Sequence, residues 1–218
     1  MKLQYCLVRN VTFMSTIIEV ANRFDSPAHT RCIVMIAYLS RLRANIHRMV
    51  YRVKFLLRTL VRATNSDDAE CRKYACLTLE NLSCERSCRK EIANVPGLIP
   101  ALCLCSTNMG HEDQQLAATS ALRNLADEPA NLIPFTDAED CLASLIKLVR
   151  LETDQEDSEE KLSSNNKLEM IKFYASDAIA SVSFWMTTIA TTNVKRANKN
   201  ENCTSVSTLN VVGWNLWE

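Results

Sequence analysis

Apolar positions along the chain recur at helical spacing, and the same phrase returns at a fixed distance. Cys32 to Ser40 reads "CIVMIAYLS", Ala75 to Ser83 reads "ACLTLENLS", Ala118 to Ala126 reads "ATSALRNLA", and Ala175 to Ser183 reads "ASDAIASVS". In each, a small residue (Cys32, Ala75, Ala118, Ala175) precedes Ile36, Leu79, Leu122 or Ile179 by four positions. Leu39, Leu82, Leu125 or Val182 follows three further on. Steps of four and three put all three on one helix face. The first three phrases lie 43 residues apart. The fourth lies 57 further on, and the acidic, Ser- and Asn-rich stretch from Glu152 to Asn166 accounts for the surplus.

Two shorter helical patches fall between successive phrases. "SCRKEIANVPGLIPALCLCS" ends a short helix near Asn94, where Pro96 stops it and Gly97 permits a sharp turn. Leu98, Ile99, Leu102 and Cys105 then form the stripe of a medium helix. "NIHRMVYRVKFLLRTLVRA" upstream and "ANLIPFTDAEDCLASLIKLVR" downstream correspond. Each period is therefore a short, a medium and a long helix. "VTFMSTIIEVANRF" reads as the middle helix of an unfinished first unit, and "NVKRANKNENCTSVSTLNVVGWNLWE" has no period.

Composition agrees with an all-α chain. Three Gly and five Pro in 218 residues are too few for the turns of a sandwich, barrel or phosphate-cradling enzyme. Net charge is zero, which argues against a nucleic-acid binder, whose affinity grows with each neutralised phosphate. The charge is uneven, however. Eight Arg or Lys and no acid lie between Ser26 and Ser66, while "ETDQEDSEE" (Glu152 to Glu160) carries six carboxylates. Lys54, Arg58 and Arg62 recur every fourth residue and read as one cationic stripe on a helix. It is either a solvated face or a surface for an acidic partner, the chain's own acidic loop included.

Ten cysteines would suit a disulfide framework in a secreted protein, but Arg9 and Asn10 break the apolar run of "MKLQYCLVRNVTF", a poor signal peptide. Buried thiols serving as small hydrophobes are the expectation. Cys84 and Cys88, with Cys103 and Cys105 nearby, are the best zinc candidates, yet Cys103-x-Cys105 is too tight and lies within an apolar stripe. His29, His47 and His111 are scattered and read as surface residues. No phosphate loop, H-E-x-x-H or G-x-S-x-G occurs, and no apolar run is long enough to span a membrane. The expectation is a chain without cofactor, metal or catalytic residues, placed in the cytoplasm or nucleus.

A period near 42 residues with three helices, "ALxNLA" on the third and "PGLIPAL" opening the second, resembles the armadillo repeat. Ala75, Leu79, Asn81, Leu82, Arg89, Ile92, Gly97, Leu98, Ile99 and Leu102 carry the resemblance, and Ala118, Ala121, Leu122, Asn124, Leu125, Leu142 and Leu145 continue it. It covers residues 11 to 190, best between 67 and 150. It implies a right-handed α-α superhelix of three to four repeats, incomplete at both ends. The units run about 26–66 with a preceding helix, 67–109, 110–166 and a partial 167–190, with a disordered tail over 191–218. Neighbouring units would share one core, because a single one cannot bury its stripes.

The resemblance also implies a function: a non-enzymatic scaffold or adaptor that grips an extended segment of another protein along a groove of third helices. Asn is a mediocre helix former, so Asn81 and Asn124 at matching positions need a reason. A carboxamide offers donor and acceptor side by side and suits a peptide backbone. The family's Asn ladder falls here on Tyr38, Asn81, Asn124 and Ser181; the alternative is that each Asn serves its own helix end. One turn earlier, where import adaptors of the family carry Trp, stand Val34, Leu77, Ser120 and Asp177. Two turns earlier stand Arg31, Tyr74, Ala117 and Tyr174, whose tyrosines either anchor a partner or pack into the core. A second function stays open: a spacer, or a fragment of a longer scaffold flanked by further repeats, with no groove ligand of its own.

Overall fold

The structure is a computed structural model that describes residues 2–23, 26–138, 140–151 and 159–199. All regular structure among them is helical. The chain divides into two compact units, Met1–Trp185 and Met186–Glu218.

Helices follow in sets of three, in the expected order of short, medium and long except in the second set, where the first helix has 10 residues and the middle one 9. α1 (Lys2–Arg9), α2 (Val11–Ala21) and α3 (His29–Ser40) form the first set. α4 (Arg43–Arg52), α5 (Leu56–Thr64) and α6 (Ala69–Ser83) form the second. In the third, a 3-10 turn leads into α7 (Arg89–Ala93), followed by α8 (Leu98–Ser106) and α9 (Glu112–Ala126). The fourth has a matching 3-10 turn, α10 (Leu132–Asp137), α11 (Cys141–Val149) and α12 (Glu159–Lys199). The unit expected to be unfinished thus has its short helix, α1.

Packing pairs long helices with long and medium with medium in successive sets. Among long helices α3 meets α6 and α6 meets α9; among medium ones α2 meets α5, α5 meets α8 and α8 meets α11. The recurring phrase supplies the seam. Ala75, Ala118 and Ala175 are fully buried, as are Ile36, Leu79 and Leu122, and Leu39, Leu82, Leu125 and Val182. At the two extremes Cys32 and Ile179 are only partly covered. A methyl group at the small position lets helices approach closely, and the branched residues beside it fill the space between sets.

The turn between short and medium helix repeats as well. Phe55, Gly97 and Asp140 each precede the medium helix in the left-handed region, at φ 64°, 78° and 64°. Only Gly97 takes that conformation without a Cβ penalty. The Phe55 turn also ends the predicted cationic stripe. Lys54 lies in the turn, and only Arg58 and Arg62 share α5.

Buried and half-buried polar groups tie α3, α6 and α9 to the helices around them. His29 contacts the Ala21 carbonyl at 2.5 Å through Nδ1, Arg72 donates to Ser66 O at 2.8 Å, and Gln115 donates to Ser106 O at 3.1 Å. The Ala21 and Ser106 carbonyls end medium helices, where no intrahelical donor remains, and Ser66 lies in the loop that follows one. At the far end Asn45 donates to Leu39 O and Gln4 O, and Asn131 donates to Leu125 O and Arg89 O, two copies of one device. His29 is therefore a core residue, not the surface histidine expected. Its Nε2 lies 3.1 Å from Cys71 Sγ.

Of the acidic stretch 152–166, residues 152–158 lie outside the described residues and 159–166 are the first turns of α12. The expected tail over 191–218 is helical through Lys199, and 200–218 lie outside the described residues.

Candidate functional site

The long helices bury one side in the seam, which leaves a second side to meet solvent. On or beneath it α3 carries the exposed Arg31 and Tyr38, α6 the half-buried Tyr74, Leu77 and Asn81, α9 the buried Ser120 and Asn124, and α12 the half-buried Tyr174 and Ser181. The structure brings several of these together across helices.

Tyr38 and Tyr74 face each other with ring centroids 6.4 Å apart, and the Arg41 guanidinium lies 6.0 Å from the Tyr38 ring. Tyr38 is 47% exposed and Tyr74 half-buried, so the pair forms a platform with one accessible edge. Arg31 is exposed one helix turn or more from Tyr38, and Leu77 is half-buried against the core.

Both asparagines bond to the preceding long helix. Asn81 Nδ2 donates to Ser40 Oγ at 2.9 Å, and Asn124 Nδ2 donates to Ser83 Oγ at 3.1 Å. Ser40 and Ser83 in turn donate to the Ala37 and Glu80 carbonyls of their own helices. One bond thus recurs in consecutive sets. The asparagines serve neither their own helix ends nor open solvent alone. Asn81 is half-buried and retains Oδ1, whereas Asn124 is 9% exposed and also lies 3.8 Å from Cys84 Sγ. Ser120 is 7% exposed and lies beside the Glu80 carboxylate. Burial raises the Glu80 pKa and the Ser120 hydroxyl opposes that rise. Ser120 and Asn124 are therefore internal supports of the face, not its surface.

Ionic links missed from the sequence complete it. Asp113 on α9 receives Lys73 of α6 at 2.5 Å and Lys167 of α12 at 2.8 Å. Hydrogen bonds from Lys167 and Lys73 hold its carboxyl at about 2, and Asp113 raises Lys167 in return. Lower along the same helices Arg123 pairs with Asp177 at 2.5 Å, its guanidinium 5.6 Å from the Tyr174 ring. Ser181 is half-buried on α12. A cleft of about 430 Å³ opens beside the first link, lined by Lys73, Tyr74, His111, Glu112, Asp113 and Lys167 among others. A scan for opposite charges one repeat apart would have found Lys73 and Asp113. Arg123 and Asp177 are hidden from it by the longer spacing of the fourth phrase.

Among the described residues six cysteines are buried within the packing, while Cys6 and Cys84 are exposed and Cys32 is half-buried. Cys103 and Cys141, on the adjacent medium helices α8 and α11, have sulfurs 3.0 Å apart, and Cys105 lies 3.4 Å from the Thr64 carbonyl. The hydrogen bond to Cys141, and then burial, push the Cys103 thiol up. In the Cys76–Cys105 pair the shared hydrogen bond raises Cys76 and lowers Cys105. Cys84 is exposed and Cys88 buried, so the four zinc candidates face different neighbours. Among the described residues no three His, Cys, Asp or Glu side chains converge as metal ligands, and no helix is long and apolar enough to cross a membrane.

No protein-family model matches the chain, and no curated protein matches it.

Proposed function

We propose that the chain is a non-enzymatic protein–protein interaction scaffold, an armadillo-type right-handed α-α superhelix that holds an extended partner segment along its long helices. The observation that carries this reading is the recurrent Asn-to-Ser bond, Asn81 to Ser40 and Asn124 to Ser83, between like helices of successive sets. It supports a repeating array that presents equivalent positions at regular intervals, which is what an extended chain needs from its receptor. The side chains offered to the partner are Arg31, the edge of the Tyr38–Tyr74 pair, Leu77, Oδ1 of Asn81, and Tyr174. The half-buried Ser181 is offered beside Tyr174, and the buried Ser120 and Asn124 act from beneath as supports. The buried His29–Cys71 contact fits a core role better than a nucleophile and base, since burial raises the Cys71 thiol.

Extended peptides selected from a random display library on the full chain test the reading. Changing Tyr38, the exposed half of the pair, to Ser should weaken selected peptides by about tenfold or more with little change in melting temperature, as removal of an aromatic anchor does. Peptides indifferent to that change, or no selectable peptide, would count against it.

A second reading has its own observation. Met170, Phe173 and Phe184 on α12 are exposed large apolar side chains. They suit a surface that further repeats or other copies cover, as in a spacer within a longer scaffold. Sedimentation of the full chain separates the two: association that rises with concentration and falls with Phe173→Glu favours the spacer.

A further inference from the structure

Away from the long-helix face, α1, α2 and the turn from α4 to α5 enclose a mostly apolar cavity of about 470 Å³. That size lies within the about 300–1,000 Å³ of small-molecule sites. Val8, Met14, Ile18 and Val53 form its floor, the first three buried. Its rim is cationic: Arg48, Arg52 and Lys54 stand there with one acid, Glu19. Glu19 is already neutralised by Arg23 at 2.5 Å. Arg48 is committed to the Val8 and Arg9 carbonyls at 3.1 and 3.2 Å. Arg52 and Lys54 have no ion-pair partner among the described residues, and both are exposed. Helix α5 also begins at this rim, at Phe55, with no side chain capping it, so its positive end adds to the same field.

We propose that this cavity binds an aliphatic carboxylate, a medium-chain fatty acid anion, with its chain on Val8, Met14 and Ile18 and its carboxylate between Arg52 and Lys54. An apolar floor with surplus positive charge at one edge matches a molecule that is apolar along its length and anionic at one end. A neutral alcohol of equal length lacks the second contribution. Lys54, which the spacing in the sequence joins to Arg58 and Arg62, is turned by the left-handed Phe55 into a different role.

Calorimetric titration of the full chain with octanoate and octan-1-ol tests this. Octanoate should bind at least about tenfold tighter, the scale of a charge-assisted hydrogen bond. Affinity should rise about fourfold per methylene from hexanoate to decanoate. Arg52→Met with Lys54→Met should remove most of the carboxylate preference while octan-1-ol still binds. Ser15→Trp, at an exposed lining position, should weaken both ligands by about tenfold. Equal affinity for octanoate and octan-1-ol, no binding by any carboxylate up to decanoate, or indifference to Ser15→Trp would overturn the proposal. So would a fall in sedimenting mass with Ser15→Trp, which would assign the cavity to a second copy. Should a variant not fold, the comparison of acid with alcohol on the unaltered chain decides alone.

Discussion

Asn124 on α9 donates its amide to the hydroxyl of Ser83 on α6 at 3.1 Å, across the seam between two successive long helices. Ser83 is fully buried and donates its own hydrogen bond to the Glu80 carbonyl, so the bond is one link in a chain that ends on the helix backbone. Asn124→Ala leaves that hydroxyl without its donor and should cost about 1–2 kcal/mol. Ser83→Ala should cost a similar amount, and the double variant less than the two together, with a coupling of about 0.5–1.5 kcal/mol. Urea unfolding of the four proteins measures this. Strictly additive costs would show the contact to be idle.

The left-handed turn before each medium helix gives the next prediction. Phe55 is 65% exposed and carries a Cβ where Gly97 carries none, so Phe55→Gly removes strain while giving up little packing. It should raise stability by about 1 kcal/mol. Gly97→Ala should lower it by about 1–2 kcal/mol. A Cβ there would meet Val61 at an ordinary 3.9 Å, so the cost comes from φ and not from collision. Thermal melts of the two variants check both signs.

How far the letters carry depends on which force decides each feature. The long helices and their buried phrase are legible because burial acts on residue type at fixed spacing: Ala75, Leu79 and Leu82 mark one face wherever they stand. The turn at Gly97 is legible because glycine announces it. The turn at Asp140 is not: Asp tolerates that conformation better than most residues, but a lone Asp does not announce a turn. Nor is the turn at Phe55, where a bulky residue disfavours positive φ and packing of the flanking helices imposes it. For the same reason Lys54 falls out of the stripe that its spacing with Arg58 and Arg62 suggests. His29 reads as a surface residue until its ring is seen between the Ala21 carbonyl and Cys71. Of the face on the long helices, Tyr38 and Tyr74 could be named from alignment alone. The burial of Ser120 and Asn124 could not, because it depends on how closely α6 and α9 approach.

Asp113 predicts a pH dependence. Its carboxyl ordinarily titrates at 3.8 and is held at about 2 by Lys167 and Lys73. A depressed folded value means stabilisation that is full above the ordinary value and lost as pH falls from about 4 through 2. The group is partly exposed, so screening keeps the effect small. The melting temperature of Asp113→Asn should lie below that of the unaltered chain at pH 7 and approach it as pH falls toward 2. A constant gap across that range would rule out the linkage.

Thiol reactivity should follow burial. Cys6 and Cys84 are exposed, and of these the Cys84 thiol is raised by burial of its surroundings, so Cys6 should label first and Cys84 second. Cys71, Cys76, Cys88, Cys103, Cys105 and Cys141 should label only on unfolding. Peptide mapping after timed alkylation at neutral pH reads this. Fast labelling of Cys71 would open the question of a reactive thiol beside His29.

The stacked sets stand or fall on whether one is stable by itself. Residues 43–83 hold one complete set and residues 43–126 hold two, joined by the packing of α6 on α9. Circular dichroism with urea titration of the two peptides is the direct comparison. The expected result is weak helicity without a cooperative transition for 43–83, and strong helicity lost in one transition for 43–126. A sharp, cooperative unfolding of 43–83 alone would contradict the shared core on which the array depends.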